Sequence, residues 1–255
     1  MLLASHTRSG EPRLYLAPAR SLLNPACRRS ENPKRPCLGA YPPTVLFPDL
    51  AGFTAFSERQ GEEAAYSLMR HLLDLMTDCV RRQGGTVKSF IGDGLMALFG
   101  VPVAFEDAGV RACRASLDIQ KRIASEALEI EAKFGLRPQM RIGLNTGPII
   151  IGAVEGGEGT GINAIGDTVN LAARLQILAE PGAVVLSQAT YRLVRGLVEV
   201  RPAGEHEVKG KSERQKIYRL NSIRQSATRF DRSVSIGLTA YVGRLARVGG
   251  SRASP

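Results

Sequence analysis

Asp49 and Asp93 each close a short apolar run, where a carboxylate would be carried to the edge of a sheet. Asp49 lies in VLFPDLAGFT (Val45 to Thr54) and Asp93 in KSFIGDGLMALFG (Lys88 to Gly100). Two strands that each deliver one carboxylate to the same edge make a pocket for paired divalent cations. Hard ions such as Mg²⁺ take oxygen ligands from one or two carboxylates together with substrate phosphates. A third segment, AIGDTVNLAARLQ (Ala164 to Gln176), supplies Asn170 and Arg174, four residues apart and so on one face of a helix. Carboxylates for metal plus a positioned Asn/Arg pair describe phosphoryl chemistry on a nucleotide.

Taken singly, each of these residues has an ordinary structural use. An aspartate after a strand is often a loop or cap residue, and Gly-Asp-Gly is a ready hairpin turn. Asn170 and Arg174 alone would make a solvated surface pair, although the small residues between them leave room for a ligand or partner. Gly52-Phe53-Thr54 says more: backbone N–H groups in a short glycine-containing turn form an anion-binding concavity, and the Thr54 hydroxyl adds a donor. Asp167 reads as the cap of the Asn170 helix. Lys209 and Lys211, in HEVKGKSER, suit an exposed turn. No GxxxxGK[ST] occurs, which excludes a P-loop. His6, His71 and His206 lack metal-ligand spacing, and GGEG at Gly156–Gly159 reads as a loop tip.

The elements that must position these groups follow from periodicity. A buried strand is expected at Thr44–Pro48, with Asp49–Thr54 as the loop after it. A helix follows at Glu62–Gln83, with Leu68, Leu72, Leu75, Met76, Cys79 and Val80 inside. Strands Thr86–Ile91 and Leu95–Phe99 form a hairpin. A long helix at Glu106–Phe134 comes next, then a strand pair at Arg137–Asn145 and Pro148–Val154. A glycine-rich loop from Glu155 to Gly161 leads to a helix at Asp167–Leu178. Strands at Val184–Leu186, Glu205–Val208 and Gln215–Leu220, with a helix at Gln188–Arg195, complete the pattern. The order predicts an α+β sandwich with helices on one face of a mainly antiparallel sheet.

The 255 residues carry a net charge of +10, which belongs to the tails. Residues 1–40 hold seven Lys/Arg against two acids, residues 221–255 six against one, and the stretch between 21 of each. A nucleic-acid face is therefore not indicated. Four scattered cysteines without CxxC spacing suit a reduced, cytoplasmic compartment with no zinc. No apolar run reaches membrane-spanning length, about 20 residues. Residues 1–40 read as a basic disordered leader, 41–220 as the catalytic domain and 221–255 as an Arg-rich linker or truncated connection.

From Val45 to Leu220 the chain resembles the catalytic domain of class III adenylate/guanylate cyclases, bacterial type. The residues that carry the resemblance are VLFPDLAGFT, GGTVKSFIGDGLMALFG, RIGLNTGPIIIGAV, AIGDTVNLAARLQ and GEHEVKGKSERQKIYRL, in the family's order. The resemblance implies a ferredoxin-like antiparallel-sheet sandwich, working as a head-to-tail homodimer with active sites at the interface. It implies that Asp49 and Asp93 of one subunit hold two Mg²⁺ or Mn²⁺ ions with the Leu50 carbonyl. Asn170 would orient the ribose and Arg174 would stabilise charge on the α-phosphate. Lys209, or the neighbouring Lys211, would bind the triphosphate. The reaction implied is conversion of ATP to 3′,5′-cyclic AMP and pyrophosphate, for intracellular signalling. The alternatives are a non-catalytic nucleotide-binding or dimerisation module and a cyclase with relaxed ATP/GTP choice.

Three positions depart from the family's pattern. Its base-reading lysine falls at Ser89, with Lys88 one residue earlier and, by strand alternation, on the opposite face; a local bulge would restore Lys88, but nothing in the sequence shows one. Its second base-reading position falls at Asn163, whose amide can accept from adenine or donate to guanine. Pro48 removes a ladder donor from an expected central strand. Residues 229–243 look like the connection into an ATPase domain of large bacterial regulators.

Overall fold

In a computed structural model of the chain, the described residues are 41–154, 161–208 and 213–224, with side chains described outside 151–165. The leader at 1–40, the loop at 155–160, Lys209, Lys211 and the segment after Arg224 lie outside them.

The elements are β1 (Thr44–Leu50), α1 (Phe53–Gln60), α2 (Glu62–Arg82), β2 (Thr86–Ile91), β3 (Gly94–Phe99), α3 (Ala108–Phe134), β4 (Met140–Thr146), β5 (Ile150–Val154), β6 (Gly161–Ile165), α4 (Asp167–Leu178), β7 (Val184–Ser187), α5 (Gln188–Val194), β8 (Val198–His206) and β9 (Gln215–Ile223). Seven strands form one sheet in the order β2-β3-β1-β4-β7-β9-β8, and β5 pairs with β6 apart from it. Only β4 and β7 run parallel. This is the α+β antiparallel-sheet sandwich that the sequence predicts.

β1 and β3 sit near the sheet's centre, so both their faces are covered and their runs are apolar almost throughout. Alternation sends Leu46, Leu50, Leu95, Ala97, Phe99, Ile142 and Leu144 into the main core beneath α2 and α3. All six apolar positions expected to face inward from α2 are buried. The other face carries Val45, Phe47, Met96 and Leu98, packed with Ala172 of α4. Helices therefore cover both faces, not one. α4 was not assignable to a side because its apolar stripe is short and its neighbours are distant in sequence.

Three further elements differ from expectation. β1 runs on through Asp49 to Leu50 and α1 begins at Phe53, so only Ala51 and Gly52 of the expected loop remain outside regular elements. The segment at Ile150–Val154 pairs with β6 rather than with β4, because β4 is taken on both sides by β1 and β7. β8 occupies Val198–His206 instead of Glu205–Val208.

Pro48 is accommodated by the ladder. Ala51 donates its N–H to Gln139 O at 2.9 Å, and N–H directions alternate along a strand. The Pro48 nitrogen therefore faces β3, where the β1–β3 register stops at Leu46↔Ala97. Pairing with β4 continues past it, Pro48↔Ile142 and Asp49↔Arg141.

α4 lies directly on the backbone of β4. A Cβ at Gly143 would stand 2.3 Å from Ala172 O and 2.4 Å from Gln176 N. Gly143→Ala should therefore push the helix off the sheet and cost about 1–3 kcal/mol, measured as a lowered urea midpoint. An unchanged midpoint would show that α4 can shift freely.

Candidate active site

The β2–β3 hairpin seats Asp93 beside Asp49. Continuing the β1–β3 register sets Asp49 opposite Gly94, and a Cβ at Gly94 would fall 2.2 Å from Pro48 O. Only glycine lets the hairpin close that far. Gly92, at φ 59°, makes the turn. Asp49 shares strand parity with Val45 and Phe47, so it projects to the α4 face.

The two carboxyl groups come within hydrogen-bond reach. Burial first, then the negative charge of Asp49, pushes the Asp93 carboxyl up to about 6, against the pull of N–H groups from its own backbone and from Leu50. Asp49 Oδ2 accepts from Arg141 Nη2 at 2.7 Å and from Gln176 Nε2 at 2.7 Å. Arg141 comes from β4, directly opposite Asp49, and Gln176 from α4. Arg141 Nε is buried with no hydrogen-bond partner among the described residues.

This donor set fits a pair of hard cations. Its side-chain ligands are carboxylate oxygens, and both the burial and the Asp49 charge that lift Asp93 are penalties on negative charge that bound positive charge relieves. Among the described residues no cluster of three or more His, Cys, Asp or Glu exists. The arrangement therefore suits ions that share their ligands with substrate phosphates rather than a closed protein cage.

Next to the carboxylates, Gly52 adopts a left-handed conformation and starts α1 at Phe53. α1 has no side-chain cap and no acid in its first turn, so the leading N–H groups at Phe53 and Thr54 are open to an anion. Phe53 is half-buried and Thr54 exposed.

α4 spans Asp167–Leu178, the bounds the sequence predicts, but its N-cap is Gly166. Asp167 occupies the first turn instead of the expected cap position. Two residues at about 100° each put Gln176 across the helix from Arg174. Gln176 is 9 % exposed and points to Asp49, whereas Asn170 is exposed and Arg174 partly so. One chain thus brings Asp49 and Asp93 together and turns Asn170 and Arg174 away from them.

β2 carries a bulge. Val87 pairs with Ala97 and Ser89 with Met96, leaving Lys88 as the extra residue. Met96 belongs to the α4 face and Ala97 to the opposite one. Ser89 therefore faces α4, and Lys88, one step from Val87, faces the same way. This corrects the alternation that set Lys88 and Ser89 on opposite faces. β6, which holds Asn163 opposite Gly152, touches β2.

Sequence reasoning missed Arg141 and Gln176. Both stand inside motifs that were noted for other residues. Their signal was the pairing of the Arg141 strand with the Asp49 strand, which no local pattern gives.

The Adenylate and Guanylate cyclase catalytic domain family matches residues 41–222. Adenylate cyclase 1 of Rhizobium meliloti is 31% identical over 181 residues, 69% of this chain and 27% of that protein. Adenylate cyclase 2 of the same organism is 34% identical over 181 residues, 69% of this chain and 49% of that protein. The chain thus spans half or less of these curated relatives. Among solved structures, the adenylyl cyclase CyaB from P. aeruginosa aligns at TM-score 0.69 and 30% identity, over 74% of this chain and 97% of that one. The guanylyl cyclase Cya2 aligns at TM-score 0.70 and 26% identity, over 73% and 95%. This chain belongs to the adenylate and guanylate cyclase catalytic domain family.

The lifted Asp93 makes a prediction for the metal-free protein. A carboxyl raised in the fold from 3.8 to about 6 penalises the folded state above that pH, and the penalty fades as pH falls towards 3.8. Asp93→Asn should therefore raise the melting temperature well above pH 6 and lose that advantage on acidification. Added Mn²⁺ should reverse the order by stabilising the wild type more. A gain that ignores pH would show that the Asp93 carboxyl is not raised in the fold.

Proposed function

We propose that this domain cyclises a purine nucleoside triphosphate, ATP in preference to GTP, as a head-to-tail homodimer with two shared sites. The observation that carries this reading is the division of α4: Gln176 on the face towards Asp49, Asn170 and Arg174 on the face away. A single chain then has half of each site. The outward stripe of α4 also bears Ile177, 66 % exposed, and Ile91 (52 %) and Ile150 (64 %) are exposed apolar residues too. Such residues suit contact with a second copy.

Asp49 and Asp93, with the Leu50 carbonyl, would hold two Mg²⁺ or Mn²⁺ ions. Such ions would supply an acidified ribose 3′-hydroxyl and a screen for phosphate charge. The N–H groups at Gly52, Phe53 and Thr54 would donate to phosphate oxygens, and Arg141 would lie near the incoming polyphosphate. From the partner, Asn170 would orient the ribose and Arg174 would meet negative charge developing on the α-phosphate. Lys209 is proposed for the triphosphate, as the resemblance implies. Among the described residues no helix is long and apolar enough to cross a membrane.

With Mn²⁺, the purified protein should form 3′,5′-cyclic product from ATP. Asp93→Ala and Arg174→Ala should each lose roughly a hundredfold or more. Mixed together they should regain part of the wild-type rate, because one mixed site is intact. No recovery between chains that still dimerise would place the whole site in one chain. Nucleotide binding without turnover by the wild type would favour the non-catalytic module.

Base choice follows from the bulge. Lys88 and Ser89 both face the α4 side, and the neighbouring β6 bears Asn163, so Lys88 is the charged group we assign to the purine edge. Lys88→Ala should cut ATP/GTP discrimination by about one to two powers of ten, judged from kcat/KM ratios. Ser89→Ala should change it less, and the reverse ranking would assign the pocket to Ser89.

A further inference from the structure

Asp49 Oδ2 receives two donors of different kinds. Arg141 brings a charge from the neighbouring strand, with 29 % of its side chain exposed. Gln176 brings a neutral amide from α4, in a nearly buried position. A neutral donor fixes one carboxylate oxygen without adding a second cation that would compete with metal, and both donors go to Oδ2, so neither occupies Oδ1. The amide cannot drift, since the Gln176 backbone is pressed on Gly143. The Asn145 side chain adds a second pin, donating to Thr168 O at 2.9 Å near the start of α4.

The same helix carries Asn170 and Arg174 on its other face. We propose that Gln176 is a positioning residue that orients Asp49 for metal, and that through α4 it ties the metal half-site of one chain to the Asn/Arg half-site the same chain lends its partner. This rests on the dimeric two-metal reading above. Its consequence is that the two sites of the homodimer are mechanically joined: the helix that holds Asp49 at its inner face is the one that presents Asn170 and Arg174 to the partner at its outer face.

The test begins with Mn²⁺ binding alone, followed by electron paramagnetic resonance of the free ion, on the full chain. Wild type should bind in a way that Asp93→Ala abolishes, and Gln176→Met should bind about ten- to a hundredfold more weakly. Gln176→Leu, which also lacks a donor, serves if the Met variant does not fold. Wild-type binding indifferent to Asp93 would overturn the metal reading itself. Binding that needs Asp93 but ignores both Gln176 variants would overturn only the positioning role.

Mixed dimers then separate positioning from mere support of the helix. In a dimer of Arg174→Ala with Asp93→Ala, the single intact site takes its carboxylates from the first chain and its Arg174 from the second. Gln176→Met placed on the first chain should raise the Mn²⁺ concentration for half-maximal rate by about the factor seen in binding. Placed on the second chain, it should leave that concentration where it was. An equal shift from either placement would overturn the proposal.

Discussion

Two acidic side chains within hydrogen-bond reach of each other cost a folded chain free energy, and much of this fold serves to hold them there. Asp49 is carried by a strand paired to β4 along its whole length, so it cannot retreat. Asp93 sits on a hairpin that closes onto that strand through Gly94, where any side chain would strike the Pro48 carbonyl. The cost shows in Asp93, whose carboxyl is raised to about 6 by burial first and then by the charge of Asp49. Arg141 and Gln176 offset part of it from the Asp49 side. On the function proposed above, divalent cations would complete this electrostatic arrangement.

The constraint propagates through β4. Its residues on the α4 side are Arg141, Gly143 and Asn145, and each has a distinct part: an ion pair to Asp49, a bare backbone for α4, and an amide to the Thr168 carbonyl. Three alternate positions of one strand thus set both the carboxylate and the helix that crosses above it. Since α4 is fixed so tightly, its outward stripe of Asn170, Arg174 and Ile177 is presented as a rigid edge. That rigidity is what a site completed by a second chain requires.

Local chemistry was legible in the sequence; long-range pairing was not. The bounds of α4 and the inward positions of α2 came directly from helical period, and the carboxylate pair from two strand-end signatures. The partners of Asp49 were hidden because Arg141 is 92 residues away and Gln176 is 127 away. β5 had the apolar, β-branched run of a strand, but nothing local told it to avoid β4. The bulge at Lys88 was also invisible: an extra residue in a ladder is a property of two strands, and the sequence of β2 alone reads as continuous.

Pro48 and Ser89 were the two departures that favoured a module without catalysis, and the geometry accounts for each. Proline in a central strand is costly when its nitrogen faces a carbonyl partner. Here it faces β3 beyond the last β1–β3 pair, where Gly94 comes in close on the Pro48 carbonyl and the hairpin sets Asp93 beside Asp49. The displaced lysine is handled by the opposite device. One extra residue in β2 brings Lys88 round to the face that Ser89 occupies, so a charge moved by one place in sequence is not lost to the site. A chain drifting free of its chemistry would have no reason to keep a carboxylate pair at a cost in stability, with a ladder that ends where the pair requires it. The departures are better explained as alternative backbone solutions that keep two acids in contact and a cation on the face that Ser89 occupies.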